Sequence, residues 1–494
     1  MLASTAPIYF TTPIYYPNDA PHLGAAYTTV AADILTRWAR LNGRDAFFLT
    51  GLDEHGKKIE KVAADQGLSP QALVDAQAEM FKSVFNSLEI EYDRFIRTTD
   101  DHERAVREIL RRVHSRGDIY KGLYQGLYCV DCETYYTEKE LAQGQCPIHH
   151  RPVELLSEEC YYFRLSNYRQ WLLDYYAQHP ELIQPQSRRN EVISFVSEGL
   201  EDLNISRSSS RWGIPLPFDE NHVAYVWFDA LINYITGVGF PEDPAKFTRY
   251  WNNAVHLIGK DILRFHAVIW PAMLKSADLE PPRKIFAHGF WTVNGRKFSK
   301  SLGNAISPLY LIKSYGLDPL RYYMFRAFPF GGDGDFSEVD LVQRNNSELA
   351  QGLGNLVQRT TGMLKKYCRN VVPPAGSPTE AEHSLIDASV SVVKDVSSAM
   401  DDFAFHRGLD RIWSFVAQLN VYTNARAMES GGERRNGGFE HDARHACRRT
   451  PVSVRFDSAV YAGKRTEDCR KIGTSDCPAG RGLKLGKLAG RQSY

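Results

Sequence analysis

The chain has 494 residues, 43% hydrophobic and 24% charged, with 59 Lys plus Arg against 59 Asp plus Glu. That length asks for several domains of about 100–200 residues each, and the composition is that of a globular chain able to bury a large core. No uninterrupted apolar run of about 18 residues is present, so no membrane partner is expected, and a zero formal net charge leaves only a local basic groove as a route to RNA.

The chain starts directly in strand-like material, Pro7-Ile8-Tyr9-Phe10-Thr11-Thr12, without the basic, apolar and small-residue order of a secretory signal, so a cytoplasmic location is expected. A turn-rich Tyr16-Pro17-Asn18-Asp19-Ala20-Pro21, an amphipathic run from Ala25 to Leu41 and a strand at Ala46–Thr50 follow, which is the opening of a parallel α/β sheet. From about 118 to 215 short aromatic strands and a Cys/His cluster read as an insertion. Strand patterns resume at Val223–Trp227 and Val255–Gly259, where the sheet is expected to be completed. Beyond Leu302 helical spacing dominates, with periodic runs at Asn355–Tyr367 and Ala381–Leu419.

Two segments carry chemistry. Pro21-His22-Leu23-Gly24 lies between a strand and a helix, where free backbone N–H groups and the helix dipole favour an anion such as phosphate. Gly295-Arg296-Lys297-Phe298-Ser299-Lys300-Ser301 supplies two lysines placed to straddle a triphosphate, and fixed cations stabilise the charge that spreads during nucleotidyl transfer. In isolation the first also reads as an ordinary helix start and the second as a solvated basic loop. A third pattern, Cys129-x2-Cys132 followed after thirteen residues by Cys146-x2-His149, has the spacing of a structural tetrahedral zinc site, and a catalytic zinc is the less favoured reading. Cys160 and Cys368 have no partner at metal spacing and read as ordinary thiols.

Together the first two segments resemble the HIGH and KMSKS signatures of class I aminoacyl-tRNA synthetases. Gly51-Leu52-Asp53-Glu54-His55-Gly56, Tyr225-Val226-Trp227-Phe228-Asp229-Ala230 and Ile258-Gly259-Lys260-Asp261-Ile262 look like the methionyl-tRNA synthetases among them. The resemblance runs from about residue 7 to about 426. It implies a Rossmann-type parallel sheet with an inserted zinc-knuckle domain, followed by a helical anticodon-binding bundle. It also implies methionine activation by ATP, with Mg2+ accompanying the nucleotide, and transfer of the methionyl group to tRNA(Met), by a monomer.

By position in the family, His22, Lys297 and Lys300 would be catalytic. His22, Gly24, Lys260, Asp261, His288, Gly289, Lys297, Ser299 and Lys300 would bind ATP. Asp53 matches the ammonium-binding aspartate, and Pro13, Ile14, Tyr16, Trp227, Ala230, Tyr234, Ile262 and His266 match the side-chain cavity. An unbranched thioether suits such an aromatic and apolar lining. Cys129, Cys132, Cys146 and His149 match the metal knuckle, and Asn355 and Arg359 the anticodon-contacting pair. The implied division is a first catalytic half at 1–117, an insertion at 118–215, a second half at 216–290, a lysine-loop and stem-contact region at 291–350 and an incomplete bundle at 351–426. An aberrant tail at 427–494 completes it. Another class I synthetase, or a noncatalytic tRNA-binding relative, remains an alternative.

Two departures stand out. The first signature normally ends in a second histidine, where this chain has Ala25, which predicts weak amino-acid activation. Near Arg426 the family pattern stops, and residues 427–494 hold 14 Lys or Arg, 8 Asp or Glu, ten Gly and three Leu, predicting low local order. A tryptophan expected just after position 425 is missing. Ala427-Met428-Glu429-Ser430, if encoded GCC-ATG-GAA-AGC before a Gly codon, becomes Pro-Trp-Lys-Ala when read one nucleotide later, close to the family's segment, which points to a frameshift. A natural basic extension that binds tRNA phosphates is the alternative.

Overall fold

The structure, a computed structural model, describes residues 6–131, 134–136, 141–148, 150–208, 210–293, 295–297, 306–372 and 376–432. The chain opens with β1 (Ile8–Tyr15), α1 (Leu23–Leu41) and β2 (Ala46–Leu52), then α2 (Lys57–Asp65), α3 (Pro70–Ser87), β3 (Arg94–Arg97) and α4 (Glu103–Ser115). β1, β2 and β3 pair in parallel. Their side chains alternate between two cores: Tyr9, Leu49 and Ile96 enter one, while Ile8, Phe10 and Phe48 enter the other. Period-two alternation with both faces covered gives these strands their nearly continuous apolar sequence.

The insertion holds β4 (Ile119–Cys129), β5 (Thr134–Tyr136), β6 (Glu154–Phe163), α5 (Arg169–Gln178), β7 (Ile183–Gln184), α6 (Gln186–Glu198) and β8 (Leu203–Asn204). β4 and β6 form a long antiparallel ribbon, flanked by β5 and β8. β7 leaves the insertion and rejoins the main sheet as its edge strand. Next come β9 (Ser206–Arg207), β10 (Pro215–Leu216) and β11 (Asp219–Ala224), a small antiparallel sheet.

Here the expected strand at Val223–Trp227 is corrected: only Val223 and Ala224 are extended in β11, outside the parallel sheet, and helix α7 (Val226–Leu231) starts at Val226. A short apolar run has no periodicity that separates a strand from a buried helix. α8 (Asn233–Thr236) and α9 (Pro244–Trp251) follow, and β12 (Ala254–Gly259), α10 (Trp270–Ser276) and β13 (Lys284–His288) complete the sheet. Its order is β3-β2-β1-β12-β13-β7, all parallel.

The hairpin β14 (Trp291–Val293) and β15 (Arg296–Lys297) leads to α11 (Pro308–Tyr315), α12 (Leu317–Arg326), β16 (Gly334–Asp335) and α13 (Glu338–Arg344). A π-helical stretch, Asn345–Gly354, joins α13 to α14 (Asn355–Cys368); α15 (Glu380–Asp401) and α16 (Phe405–Gly432) follow. The periodic run Ala381–Leu419 is therefore two helices. It breaks where Phe403 takes a left-handed φ of 55° and Ala404 N–H donates to Ala399 O, a closure that ends α15. α16 continues to Gly432, past the expected edge of the tail, and residues 433–494 lie outside the described residues.

Catalytic and helical parts share a core and a buried ion pair. Arg321 on α12 reaches Asp33 on α1 at 2.6 Å, both side chains being almost fully buried, and also donates to Leu88 O. Among the described residues no helix is long and apolar enough to cross a membrane.

Candidate active site

A cavity of about 440 Å³ opens at the carboxyl ends of β1, β12 and β13, the edge where open parallel sheets hold ligands. The last residues of β1 and those just after it, the start of α1, the segment after β2, helix α7 and the residues following β12 and β13 all reach it. Pro13, Ile14, Tyr16, Asp53, Trp227, Ala230, Tyr234, Ile262 and His266, gathered from positions up to 253 residues apart, all line this one space. His22, Gly24, Asp261, His288 and Gly289 line it as well.

The apolar end is held by a neutral hydrogen-bond chain. His266 Nδ1 lies 2.9 Å from Ile262 O, which can only accept, so the proton sits on Nδ1 and Nε2 accepts from the Tyr234 hydroxyl at 2.6 Å. Tyr234 O in turn accepts from Tyr9 Oη. Burial is the largest influence on His266 and brings its pKa down to about 4, against the opposing Ile262 carbonyl and Asp261; His256 beneath it is also held well below 6.5. Because the folded pKa lies below the unfolded one, this contribution to stability is present above 6.5 and is lost as pH falls towards 4. Thermal melts from pH 7.5 to 4.5 should show Tm falling through that window with a shallower slope in His266→Gln; equal slopes would contradict the assignment.

The polar end is built at α1. His22 caps the helix, its Nδ1 accepting from Gly24 N–H at 3.0 Å, which leaves the ring proton on Nε2. A Cβ at position 24 would stand 2.8 Å from His22 Cε1, so glycine keeps this ring seated. One turn on, the Thr28 hydroxyl bonds His288 Nε2 at 2.6 Å, while His288 Nδ1 donates to Gly289 O. A side chain on Gly289 would collide with the Gly332 backbone, its Cβ falling 2.1 Å from Gly332 O. Ala25 is buried and its side of the helix faces the cavity, so the position expected to carry a second imidazole carries a methyl group.

The lysine segment is anchored at both described ends. Lys297 pairs with Thr292 in the β14–β15 hairpin, and Gly295 N–H donates to Asp335. At the far side, Ile306 O accepts from Leu23 N–H at 3.1 Å, joining the next described residue beyond the segment to the first turn of α1. The chain that follows the second signature thus returns to the first. The side chain of Lys297, together with Ser299 and Lys300, lies outside the described residues. Lys260 is not part of the cavity lining: its ammonium pairs with Asp333 at 2.6 Å and lies over the Phe290 ring.

Several lining residues escaped the sequence reading: Tyr15, Tyr27, Thr28, Lys58, Asp131, Asn233, Phe290 and Trp291 among them. Thr28 was open to helical spacing, one turn from Gly24. Asp131 sits inside the first Cys pair, and its carbonyl accepts from Lys58 on α2, tying the β4–β5 hairpin to the cavity wall. Cys129 and Cys146 are both buried, and Cys146 O accepts from His150 N–H, a tight turn of the kind a metal knuckle needs. Cys132 and His149 lie outside the described residues.

Behind α7 is a buried polar cluster without precedent in the motif reading. Asp229 accepts from His55 Nδ1 at 2.6 Å and from His102 Nε2 at 2.8 Å, with Asp229 and His102 sealed from solvent and His55 buried beside them. Burial raises the Asp229 pKa, yet His55 and His102 together outweigh it and hold it at about 2. Far from this site, Asn355 and Arg359 line a second cavity of about 540 Å³ with Arg326, Gln351, Trp413, Asn420 and Asn424.

The tRNA synthetases class I (M) family matches residues 8–154 and 150–361 of the chain. The chain belongs to that family. It is 50% identical over 416 residues to the methionine–tRNA ligase of Caldanaerobacter subterraneus, covering 84% of this chain and 65% of that protein. It is 49% identical over 418 residues to the methionine–tRNA ligase of Fusobacterium nucleatum, covering 84% and 66%. The chain thus spans just under two thirds of the length of these curated relatives. Its fold is similar to that of Mycobacterium tuberculosis methionyl-tRNA synthetase solved with methionyl-adenylate, at TM-score 0.86 and 43% identity over 90% of this chain and 88% of that one.

Proposed function

We propose that the chain is a methionine–tRNA ligase, which joins methionine to the α-phosphate of ATP with release of pyrophosphate and then transfers the methionyl group to the terminal ribose of tRNA(Met). The observation that carries this reading is one cavity at the sheet edge, with an apolar, aromatic end beside Asp53 and a helix-capping histidine at the other, and with Trp291, where the hairpin that carries Lys297 begins, in its lining. Asp53 would hold the ammonium group, Tyr234, Trp227, Ile262 and His266 the thioether side chain, and the lysines and His22 the triphosphate with its Mg2+. The barrier is lowered by positioning and charge, so no covalent nucleophile is needed. Methionine-dependent exchange of pyrophosphate into ATP tests the reading; exchange driven by another amino acid and not by methionine would refute it. Ala25 in the cavity wall also favours a second reading, a tRNA-binding relative with little activation chemistry, which predicts no exchange with any amino acid.

The same proposal places a cytoplasmic monomer, divided at about 117, 215, 290, 350 and 426, with an anticodon pocket around Asn355 and Arg359. Residues 427 onward would be the product of a frameshift, which resequencing the gene across Met428 decides. Two buried thiols on tight turns fit a zinc knuckle held by Cys129, Cys132, Cys146 and His149. Such an ion supplies a structural cross-link and takes no part in the chemistry. About one zinc per chain is expected by elemental analysis, falling to a trace in Cys129→Ser; an unchanged zinc content would remove Cys129 from the ligand set.

A further inference from the structure

We propose that Asp229 is a positioning residue of the amino-acid pocket, setting the separation of its two walls through His55. This rests on the pocket being an amino-acid site. One wall is the segment after β2, which carries Asp53; the other is α7, whose Trp227 and Ala230 line the cavity on either side of Asp229. The walls come from parts of the chain 174 residues apart, and the bond from His55 Nδ1 to Asp229 Oδ2 joins them across that gap.

Other bonds of the Asp53 segment tie it to several elements. Asp53 N–H donates to Tyr15 O, Tyr16 Oη donates to His55 O, Gly56 N–H donates to Trp212 O, and Glu54 pairs with Arg97. The His55 bond is a direct, buried polar tie from this segment to the α7 wall. His102 holds the second oxygen of the same carboxylate from the start of α4, and its other nitrogen meets Thr236; the loop before it reaches the Asp53 segment one residue further on, where Thr98 and Thr99 bond Glu54. The cluster thus contains its own comparison: both histidines support one buried carboxylate, and His55 bonds it directly from the Asp53 segment.

The experiment is equilibrium binding of methionine to the full chain, followed by tryptophan fluorescence, beside thermal melts and ATP binding. His55→Gln places its amide away from the Nδ1 position and should weaken methionine binding roughly 10- to 100-fold, the cost of a small misplacement, with ATP binding unchanged. His55→Asn puts an amide N–H where Nδ1 stood and should restore most of the affinity. His102→Asn, which withdraws the donor that Nε2 supplies, should lower Tm and leave methionine affinity within about twofold. Wild-type affinity in His55→Gln, or a loss in His102→Asn that follows its Tm, would overturn the proposal. Should His55→Gln fail to fold, Asp229→Asn takes its place, and failure of both assigns the cluster to stability alone and also overturns it. If the unaltered chain binds a different amino acid, the methionine reading fails while the same series, run with that amino acid, still tests Asp229. Binding of none overturns both.

Discussion

Replacing Ala25 by histidine is expected to raise the rate of methionine-dependent ATP–pyrophosphate exchange roughly 10²- to 10³-fold, the usual worth of one preorganised donor aimed at developing charge. Ala25 stands in the first turn of α1, one residue beyond Gly24, buried and against the cavity. In the proposed reaction charge would build on the transferring phosphate beside that helix end, and His22 Nε2 is the one imidazole donor the sequence retains in the motif. An added donor that meets the phosphate more strongly in the transition state than in the ground state acts on kcat and leaves the ATP KM nearly unchanged. The cavity wall gives the larger ring somewhere to go, since the methyl group of Ala25 borders open space. Equal rates in the two proteins would remove this position from catalysis.

Asp53→Asn should cost about 2–5 kcal/mol of methionine affinity, at least roughly 30-fold in Kd, the range found when one member of a buried charge pair is removed. Asp53 is almost fully buried at the edge of the cavity, on a backbone whose N–H is held by Tyr15 O. A substrate ammonium brought into that space without a carboxylate loses its hydration and gains no counter-charge. Methionine analogues lacking the amino group should bind the variant and the unaltered chain alike. If methionine binds both proteins with the same Kd, Asp53 is not its ammonium partner. ATP binding measured in parallel separates this outcome from a general collapse of the site.

The sequence made the first strands and the cavity lining legible to different degrees. β1, α1 and β2 lie where hydrophobic patterning put them, with the helix starting at Leu23, two residues before the apolar run, because His22 supplies the cap. The nine residues expected around methionine line one cavity because short motifs at strand ends all face the same edge of the sheet. Lys260 pairs with Asp333, 73 residues on, a partnership that no local motif announces. Asp229, His55 and His102 were invisible as a cluster, since a buried pairing across more than a hundred residues leaves no periodic trace. The break at Phe403 was hidden for a different reason, as apolar spacing continues through it while the backbone turns.

The Asp33–Arg321 pair bears on how this chain could be divided. Asp33 belongs to the helix that begins at the polar end of the cavity, and Arg321 to the helices that lead into the second cavity. A fragment stopping before α12 would leave an acidic group sealed under α1 with Arg37 as its remaining ion-pair partner, and would bare Tyr27, which packs against the rings of Phe325 and Phe330. The sheet and the helices therefore behave as one inheritance: gene rearrangement cannot trade one helical partner for another without uncovering Asp33 and Tyr27 together.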